Sequence, residues 1–117
     1  MEKWQTSLNL KFQRVPWKFR VGFSYEWKAW LLAYDHFNCS PEEFSKMDID
    51  KQSTALAFGA AAWDRMKKGK KIFFTCEDIA LALLKASKEE NIKLAMAMSY
   101  ASFPKWLKAE GADKKKV

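Results

Sequence analysis

The segment Gln52–Met66 is apolar on nearly every side when it is read as an α-helix. One stripe at helical spacing contains Leu56 and Trp63, and a second stripe contains Ala55 and Phe58. A helix without a clear polar face must be covered on two sides, either by its own fold or by another chain. Because a chain of 117 residues has few elements to spare for that cover, the segment indicates association with a partner rather than a self-contained enzyme.

The length and composition are those of one globular domain with basic ends. With 117 residues, of which 49% are hydrophobic and 30% charged, the chain is large enough for one core and too small for two. Its net charge of +7 is concentrated in residues 1–22, 65–71 and 105–117, which favours solvated loops over a dedicated nucleic-acid groove. We expect a single helical domain with an N-terminal hairpin over residues 1–110 and a flexible basic tail over residues 111–117.

The cysteines and the hydropathy pattern indicate a cytoplasmic protein. Cys39 and Cys76 are too few and too unpatterned for a disulfide scaffold or a zinc site, which favours a reducing compartment. The chain has no signal peptide and no apolar run of membrane length, since the run Trp30–Ala33 is interrupted at Asp35. We therefore expect no contact with a membrane.

The periodicity predicts an α+β fold, with an N-terminal β-hairpin followed by a bundle of four to five mostly short α-helices. Apolar and polar residues alternate over residues 8–13 and 17–21, as is typical of strands with one wet face. Pro16 lies in the connection between these strands and restricts its backbone.

Residues that favour helix starts and helix ends divide the rest of the chain. The predicted helices are 25–37, capped by Ser24 and ended by Asn38; a short helix that follows Ser40 and ends near Lys46; a helix from Asp48 or Asp50 to about Lys68, ended by Gly69; Glu77–Ala86, capped by Thr75; Asn91–Ser102, preceded by a capping box at Ser87; and one further turn at Trp106 and Leu107.

No catalytic or cofactor-binding motif is recognisable. P-loop, dinucleotide-binding, nucleophile-elbow and His-Glu-x-x-His patterns are all lacking, and His36 is the only histidine. The carboxylates of Glu42, Glu43, Asp48 and Asp50 suit the positive ends of helices better than an acid–base pair or a metal site. We therefore expect no enzyme activity, no metal and no cofactor.

The basic run 67–71 is open to two interpretations. A solvated turn at a helix C-terminus is favoured, because cations suit that end of the helix dipole. The alternative is a small nucleic-acid-binding or regulatory protein that contacts phosphate through Lys67, Lys68, Lys70 and Lys71.

The last long helix carries two apolar stripes. Ile92 and Met96 belong to the first stripe, for which core packing is the favoured interpretation, whereas Leu94 and Met98 belong to the second. Because methionine adapts its shape to different neighbours, the second stripe is equally compatible with core packing and with an adaptable binding surface.

The order of elements carries a family resemblance. A strand ending in Phe19–Ser24 leads into an aromatic helix and a short Pro-Glu-Glu-Phe helix, the connector Lys46–Asp50 precedes the small-residue helix Ala55–Trp63, and Phe74–Ala80 opens another helix. Over about residues 17–101 this order resembles the tail assembly chaperones of long-tailed bacteriophages.

The resemblance implies a non-enzymatic chaperone in the host cytoplasm. Such chaperones bind the long helical tape-measure protein, keep it soluble and help to recruit tail-tube subunits. They often have a short form and a frameshifted longer form, and the run Lys114–Lys116 is compatible with slippery A-rich codons. We expect partner contacts at Phe58, Trp63, Met98 and Trp106, and two-sided apolar helices are also compatible with a homo-oligomer.

Overall fold

A computed structural model describes residues 2–101, in which one β-hairpin precedes five helices. The elements are β1 Gln5–Lys11, β2 Lys18–Ser24, α1 Trp27–Phe37, α2 Pro41–Ser45, α3 Ile49–Lys67, α4 Cys76–Lys85 and α5 Lys88–Ser99. The predicted α+β fold is therefore confirmed. The predicted turn at Trp106 and Leu107 and the predicted tail over 111–117 lie outside the described residues.

The two strands pair antiparallel and bury one face of the hairpin. Leu8 lies opposite Val21 and Leu10 lies opposite Phe19, and the side chains of Leu8, Leu10 and Val21 are at most 2% exposed. Asn9 on the other face is exposed, so the alternation of the sequence marks the buried side, as predicted.

Local capping chemistry fixes most of the helix ends. Ser40, Thr75 and Ser87 each accept a hydrogen bond from a backbone N–H in the first turn and complete a capping box. Asn38, with φ of 49°, ends α1 in the left-handed region. Gly69 has φ of 68° and follows α3 in a Schellman motif, because the Lys70 N–H donates to the Arg65 carbonyl at 2.9 Å. These predicted caps are confirmed.

The predicted start of α1 is wrong. This helix begins at Trp27 with Glu26 as its N-cap residue, and Ser24 does not cap it. The Ser24 hydroxyl is buried and instead donates to the Glu26 carboxylate at 2.7 Å. A hydrogen bond to the carboxylate of Glu26, two residues along the chain, thus replaces the capping interaction that the sequence pattern favours.

The predicted bounds of α5 are also shifted toward the C-terminus. The helix starts at Lys88 and ends at Ser99, because Ser87 is its N-cap residue and the capping box forms its first turn. The face of α5 that packs against the core is also different from the one that the sequence favours. Leu94 is 8% exposed, whereas Ile92 is 49% and Met96 is 58% exposed, so the stripe expected to be core faces outward.

The small-residue helix α3 is the centre of the core, and it packs against α1, β2 and α4. Most of its residues between Ala55 and Ala62 are buried, so the fold itself covers most of the apolar surface that the sequence left open. Gly59 permits this packing, since a Cβ there would lie 2.1 Å from the Ala29 carbonyl oxygen of α1. The apolar nature of α3 is therefore explained without a partner. Within residues 2–101, no helix is long and apolar enough to cross a membrane.

Candidate functional site

An open apolar groove runs between the N-terminal half of α3 and the helices α4 and α5. Its volume is about 570 Å³. Each helix contributes apolar or small side chains to its walls, among them Thr54 and Ala57 of α3, Ala80 and Leu83 of α4, and Leu94 and Met98 of α5. The small residues of α3 and α4 leave space between the helices, and the longer side chains line it.

The rim of the groove exposes further apolar surface. Leu84 lines the groove and is 82% exposed, and the outward stripe of α5 places Ile92 and Met96 at the surface of the same helix pair. Exposed apolar side chains near a concave site are typical of protein-binding surfaces.

The charge of the groove is low and negative. Among the described residues that line it, Asp50 alone is charged, and it lies in the first turn of α3. The sequence as a whole has a net charge of +7. The groove therefore favours an apolar occupant with a cation near the Asp50 end rather than a polyanion.

The position of α5 against α4 is fixed by hydrogen bonds at the turn between them. The Asn91 side-chain amide donates to the Leu83 carbonyl at 3.2 Å and to the carbonyls of Ala86 and Ser87 at 3.4 and 3.2 Å. The carboxylate of Glu90 accepts from the Asn9 N–H at 3.1 Å and joins α5 to β1. The helices that form the groove are therefore held in a defined geometry before any partner binds.

Tyr25 lies at the buried side of the groove. It follows β2, its backbone N–H donates to the Trp4 carbonyl at 2.9 Å, and its side chain is fully buried while it contributes to the groove lining. Burial raises the pKa of the Tyr25 hydroxyl, so the group is neutral at pH 7. It makes no hydrogen bond with any residue of the described part of the chain.

The structure does not bring the predicted partner-binding residues together. Met98 is half-buried and lines the groove. Phe58 is also half-buried, but its ring lies 5.6 Å from His36 and 6.2 Å from Phe74 and packs against the core instead. Trp106 lies outside the described residues.

Trp63 belongs to a polar network at the opposite end of α3. Its indole N–H donates to the Glu26 carboxylate at 2.8 Å, and the ammonium group of Lys28 lies 4.4 Å from its ring centroid. Lys67 donates to the same carboxylate at 2.8 Å. This network joins the start of α1 to the end of α3, which gives Trp63 a role within the fold.

The same network changes the acidity of Glu26. Burial acts to raise the pKa of this carboxyl group, but the hydrogen bonds from Lys67, Ser24 and Trp63 and the charge of Lys67 outweigh it, so the pKa is lowered. The carboxylate is thus ionised at neutral pH and is partnered on several sides.

Intramolecular ion pairs occupy half of the basic run that the nucleic-acid interpretation uses. Lys67 pairs with Glu26 at 2.8 Å, and Lys68 pairs with the buried Asp64 at 2.9 Å. Arg65 donates to the Lys71 carbonyl and holds the turn. Charges already neutralised within the fold contribute less to phosphate binding, so this arrangement supports the solvated-turn interpretation.

Sequence reasoning missed Tyr25, Leu83 and Leu84 as groove residues. The adjacent leucines of α4 were a usable signal, because successive helical positions point about 100° apart and one of two leucines must then lie away from a narrow core stripe. The position of Tyr25 had no comparable signal, since it depends on how the hairpin packs under three helices.

No metal site is apparent between residues 2 and 101, where no three His, Cys, Asp or Glu side chains are grouped to hold an ion. Comparisons with protein-family models, with curated proteins and with solved structures found no match to this chain.

Proposed function

We propose that this chain is a non-enzymatic assembly chaperone that binds an amphipathic helix of its partner in the groove between α3, α4 and α5. The observation that carries the proposal is the open apolar groove, with Met98 in its wall and Leu84 exposed at its rim. Following the resemblance to phage tail assembly chaperones, the partner is the helical tape-measure protein, and recruitment of tail-tube subunits in the host cytoplasm follows its binding.

The dimensions of the groove support binding of one face of a helix. An α-helix with side chains is roughly 10–12 Å wide, which is too large to enter a cavity of about 570 Å³. An apolar stripe at spacings of three and four residues would instead insert a few side chains between α4 and α5. The thioether of Met98 adapts to different side chains, which suits a partner that presents a repeated apolar stripe.

The chemistry of the lining supports binding rather than catalysis. Asp50 is accompanied in the groove by the hydroxyls of Ser53 and Thr54 and by the Asn91 amide, but Asn91 is engaged at the turn between α4 and α5. Among the described lining residues, no histidine, lysine or cysteine accompanies Asp50 and these alcohols, so the lining lacks the set of nucleophile, base and orienting group that is typical of covalent catalysis.

Co-expression of the full chain with a tape-measure segment from the neighbouring gene tests the proposal. We expect a stable complex with the wild-type chain and a complex about tenfold weaker for Leu84→Ser, because loss of a well-packed anchor typically costs more than about 1 kcal/mol. Leu84 is 82% exposed in the free chain, so the substitution leaves the fold intact.

Leu31→Ser is the matched control, since Leu31 on α1 is 42% exposed and does not line the groove. This variant should bind as the wild type does. Absence of a complex with the wild-type chain, or equal binding by the two leucine variants, would contradict the proposal. Light scattering of the free chain at several concentrations separates partner binding from homo-oligomer formation.

A further inference from the structure

A small apolar cavity lies where the connection of the hairpin meets the segment that precedes α4. Its volume is about 180 Å³. Its walls are apolar side chains of the hairpin and of that segment, namely Phe12, Val15, Phe19 and Phe73. None of these residues lines the groove between α3, α4 and α5, so the cavity is a separate feature of the surface.

The aromatic rings around the cavity form walls rather than a flat platform. The ring planes of Phe12 and Phe73 are inclined at 80° and those of Phe19 and Phe73 at 47°, with centroids 5.6 and 4.9 Å apart. Trp17 extends the cluster, since its ring lies 6.0 Å from that of Phe19. Trp17 is 57% and Phe73 39% exposed, so the cluster reaches the surface, where a partner can contact it.

The size of the cavity suits one aromatic side chain. An apolar cavity of about 150 Å³ holds a benzene ring, and the volume of this cavity is slightly larger. A phenyl ring inserted between Phe19 and Phe73 would gain edge-to-face contacts in addition to its burial. Inclined rings that enclose one space fit a single inserted side chain better than a row of stacked bases, which needs a series of open ring faces.

The surroundings of the cavity are positively charged. The guanidinium group of Arg65 lies 4.7 Å from the ring centroid of Phe73, and Arg14 lines the cavity with 72% of its side chain exposed. Further exposed cations are close to these rings along the chain, namely Lys18, Lys70 and Lys71. Cations at the rim of an apolar cavity favour an occupant whose apolar group is flanked by carboxylates.

Acidic residues nearby neutralise only part of this charge. Asp78 accepts from Arg14 at 2.7 Å, which leaves further N–H donors of that guanidinium for a partner, and Glu77 lies beside Asp78 in the first turn of α4. Five cations against two carboxylates leave a positive surface. The groove has the opposite sign, because Asp50 is the charged residue among its described lining. The two surfaces therefore favour different partners.

We propose that this cavity and its cations bind an acidic segment of a second protein partner, with one aromatic side chain of that segment inserted between Phe19 and Phe73. The carboxylates that flank the inserted ring pair with Arg14, Lys70 and Lys71. One buried aromatic anchor inside a charged rim is a common interface arrangement, and the charge pairs speed association. The site goes beyond the proposed function, since it adds a partner that the groove does not bind.

Fluorescence anisotropy of a labelled synthetic peptide, in which one phenylalanine is flanked by glutamates, tests this proposal with the full chain. We expect the peptide to bind at low salt and its affinity to fall as salt is added. Replacement of the peptide's phenylalanine by alanine should weaken binding about tenfold, because the buried anchor is lost. Absence of binding at low salt, or equal binding of the two peptides, would overturn the proposal.

A variant of the cavity wall tests the same contact from the side of the chain. Val15→Phe adds bulk to the wall at a half-buried position of the hairpin connection. It should weaken binding of the phenylalanine peptide about tenfold, because the inserted ring is excluded, and leave the midpoint of thermal unfolding unchanged. Full binding by this variant would show that the peptide does not use the cavity.

A pair of lysine variants tests the charge. The double variant Lys70→Gln and Lys71→Gln should weaken binding about fivefold at low salt, since exposed charge pairs each contribute modestly. The matched control Lys88→Gln and Lys93→Gln removes two exposed lysines of α5 and should bind as the wild type does. Equal losses in the two double variants would contradict a local role of the cations.

Two further outcomes separate the alternatives. If a single-stranded oligonucleotide binds more tightly than the peptide and loses affinity in Val15→Phe, the cavity serves nucleic acid and the proposal is overturned. Leu84→Ser should bind the peptide as the wild type does, because Leu84 lines the groove and not this cavity; loss of binding there would place the peptide in the groove instead. A chain that binds the peptide but no tape-measure segment would contradict the proposed function alone.

Discussion

Replacing Gly59 with alanine adds one methyl group where α3 packs closely against the backbone of α1. The new Cβ would lie 2.1 Å from the Ala29 carbonyl oxygen, whereas ordinary contact begins at 3.4 Å. The difference between these distances, about 1.3 Å, must come from movement of the two helices. The obstructing atom belongs to the backbone of α1, so no change of side-chain rotamer relieves the contact.

The expected loss of stability follows from two opposing effects. Overpacking a core costs about 1–3 kcal/mol, and a collision between two helix backbones belongs near the upper end of that range. Alanine is a better helix former than glycine by about 1 kcal/mol, which offsets part of the cost. We therefore expect the free energy of unfolding to fall by about 2 kcal/mol, which for a domain of this size lowers the unfolding midpoint by roughly 8 °C.

Thermal and urea unfolding followed by circular dichroism measure this change in the full chain. The double variant with Ala29→Gly is an informative control, because the contact is with the Ala29 carbonyl and removal of its methyl group should not restore stability. A Gly59→Ala variant as stable as the wild type, or more stable, would refute the close packing of α1 and α3. In that case helix propensity alone would account for the result.

Two further substitutions test the polar contacts that hold the helices. Because the pKa of Glu26 is lowered in the fold, its interactions stabilise the fold above its unfolded-state pKa, near 4.5. This contribution is lost as the pH falls through the lower folded-state pKa. In urea titrations between pH 3 and 7, Glu26→Gln should therefore lose less stability on acidification than the wild type, and an unchanged pH dependence would contradict the network. Ser87→Ala removes the side-chain acceptor of the Glu90 N–H at the start of α5, so the free energy of unfolding measured in urea should fall by about 1 kcal/mol. The control Ser99→Ala, at the exposed end of the helix, should change the free energy of unfolding little. Equal effects of the two serine variants would argue against the cap.

The parts of the fold that the sequence predicts well are those that depend on neighbouring residues. The three capping boxes, the left-handed Asn38 and the glycine after α3 each require a residue type within a few positions of the helix end. The alternation in the hairpin is local in the same sense, because each side chain's face is set by its neighbours along the strand. Such features form in any tertiary arrangement that contains the same helices and strands.

The orientation of α5 could not be predicted in the same way. Its two stripes are both apolar, so periodicity alone does not say which faces the core. The choice depends on contacts far apart in the sequence, such as the bond from the Asn9 N–H to Glu90 at 3.1 Å and the clamp made by Asn91. These contacts place Leu94 inward and leave Ile92 and Met96 exposed.

The two aromatic residues among the predicted site residues that the structure describes have contacts within the fold that the sequence does not indicate. Trp63 and Phe58 belong to different apolar stripes of α3 in the sequence. In the structure Trp63 donates a hydrogen bond to Glu26, and Phe58 packs beside Phe74. A long-range partner for a tryptophan N–H has no signature in the sequence. The adaptability that makes Met98 a candidate is a property of the residue itself, and Met98 lines the groove.

The two ends of α3 have different relations to the rest of the fold, and this difference bears on function. At its C-terminal end, Trp63 and Lys67 donate to one carboxylate, and the Schellman motif ends the helix. At its N-terminal end, Asp48 makes no side-chain capping bond, and Thr54 and Ala57 face the groove. A binding surface needs a rigid support and a face that remains accessible. Because the polar network fixes α3 at the end away from the groove, its other end can present small side chains to a partner helix while the core stays packed. Substitutions in the network should therefore act on stability, and substitutions in the groove should act on binding.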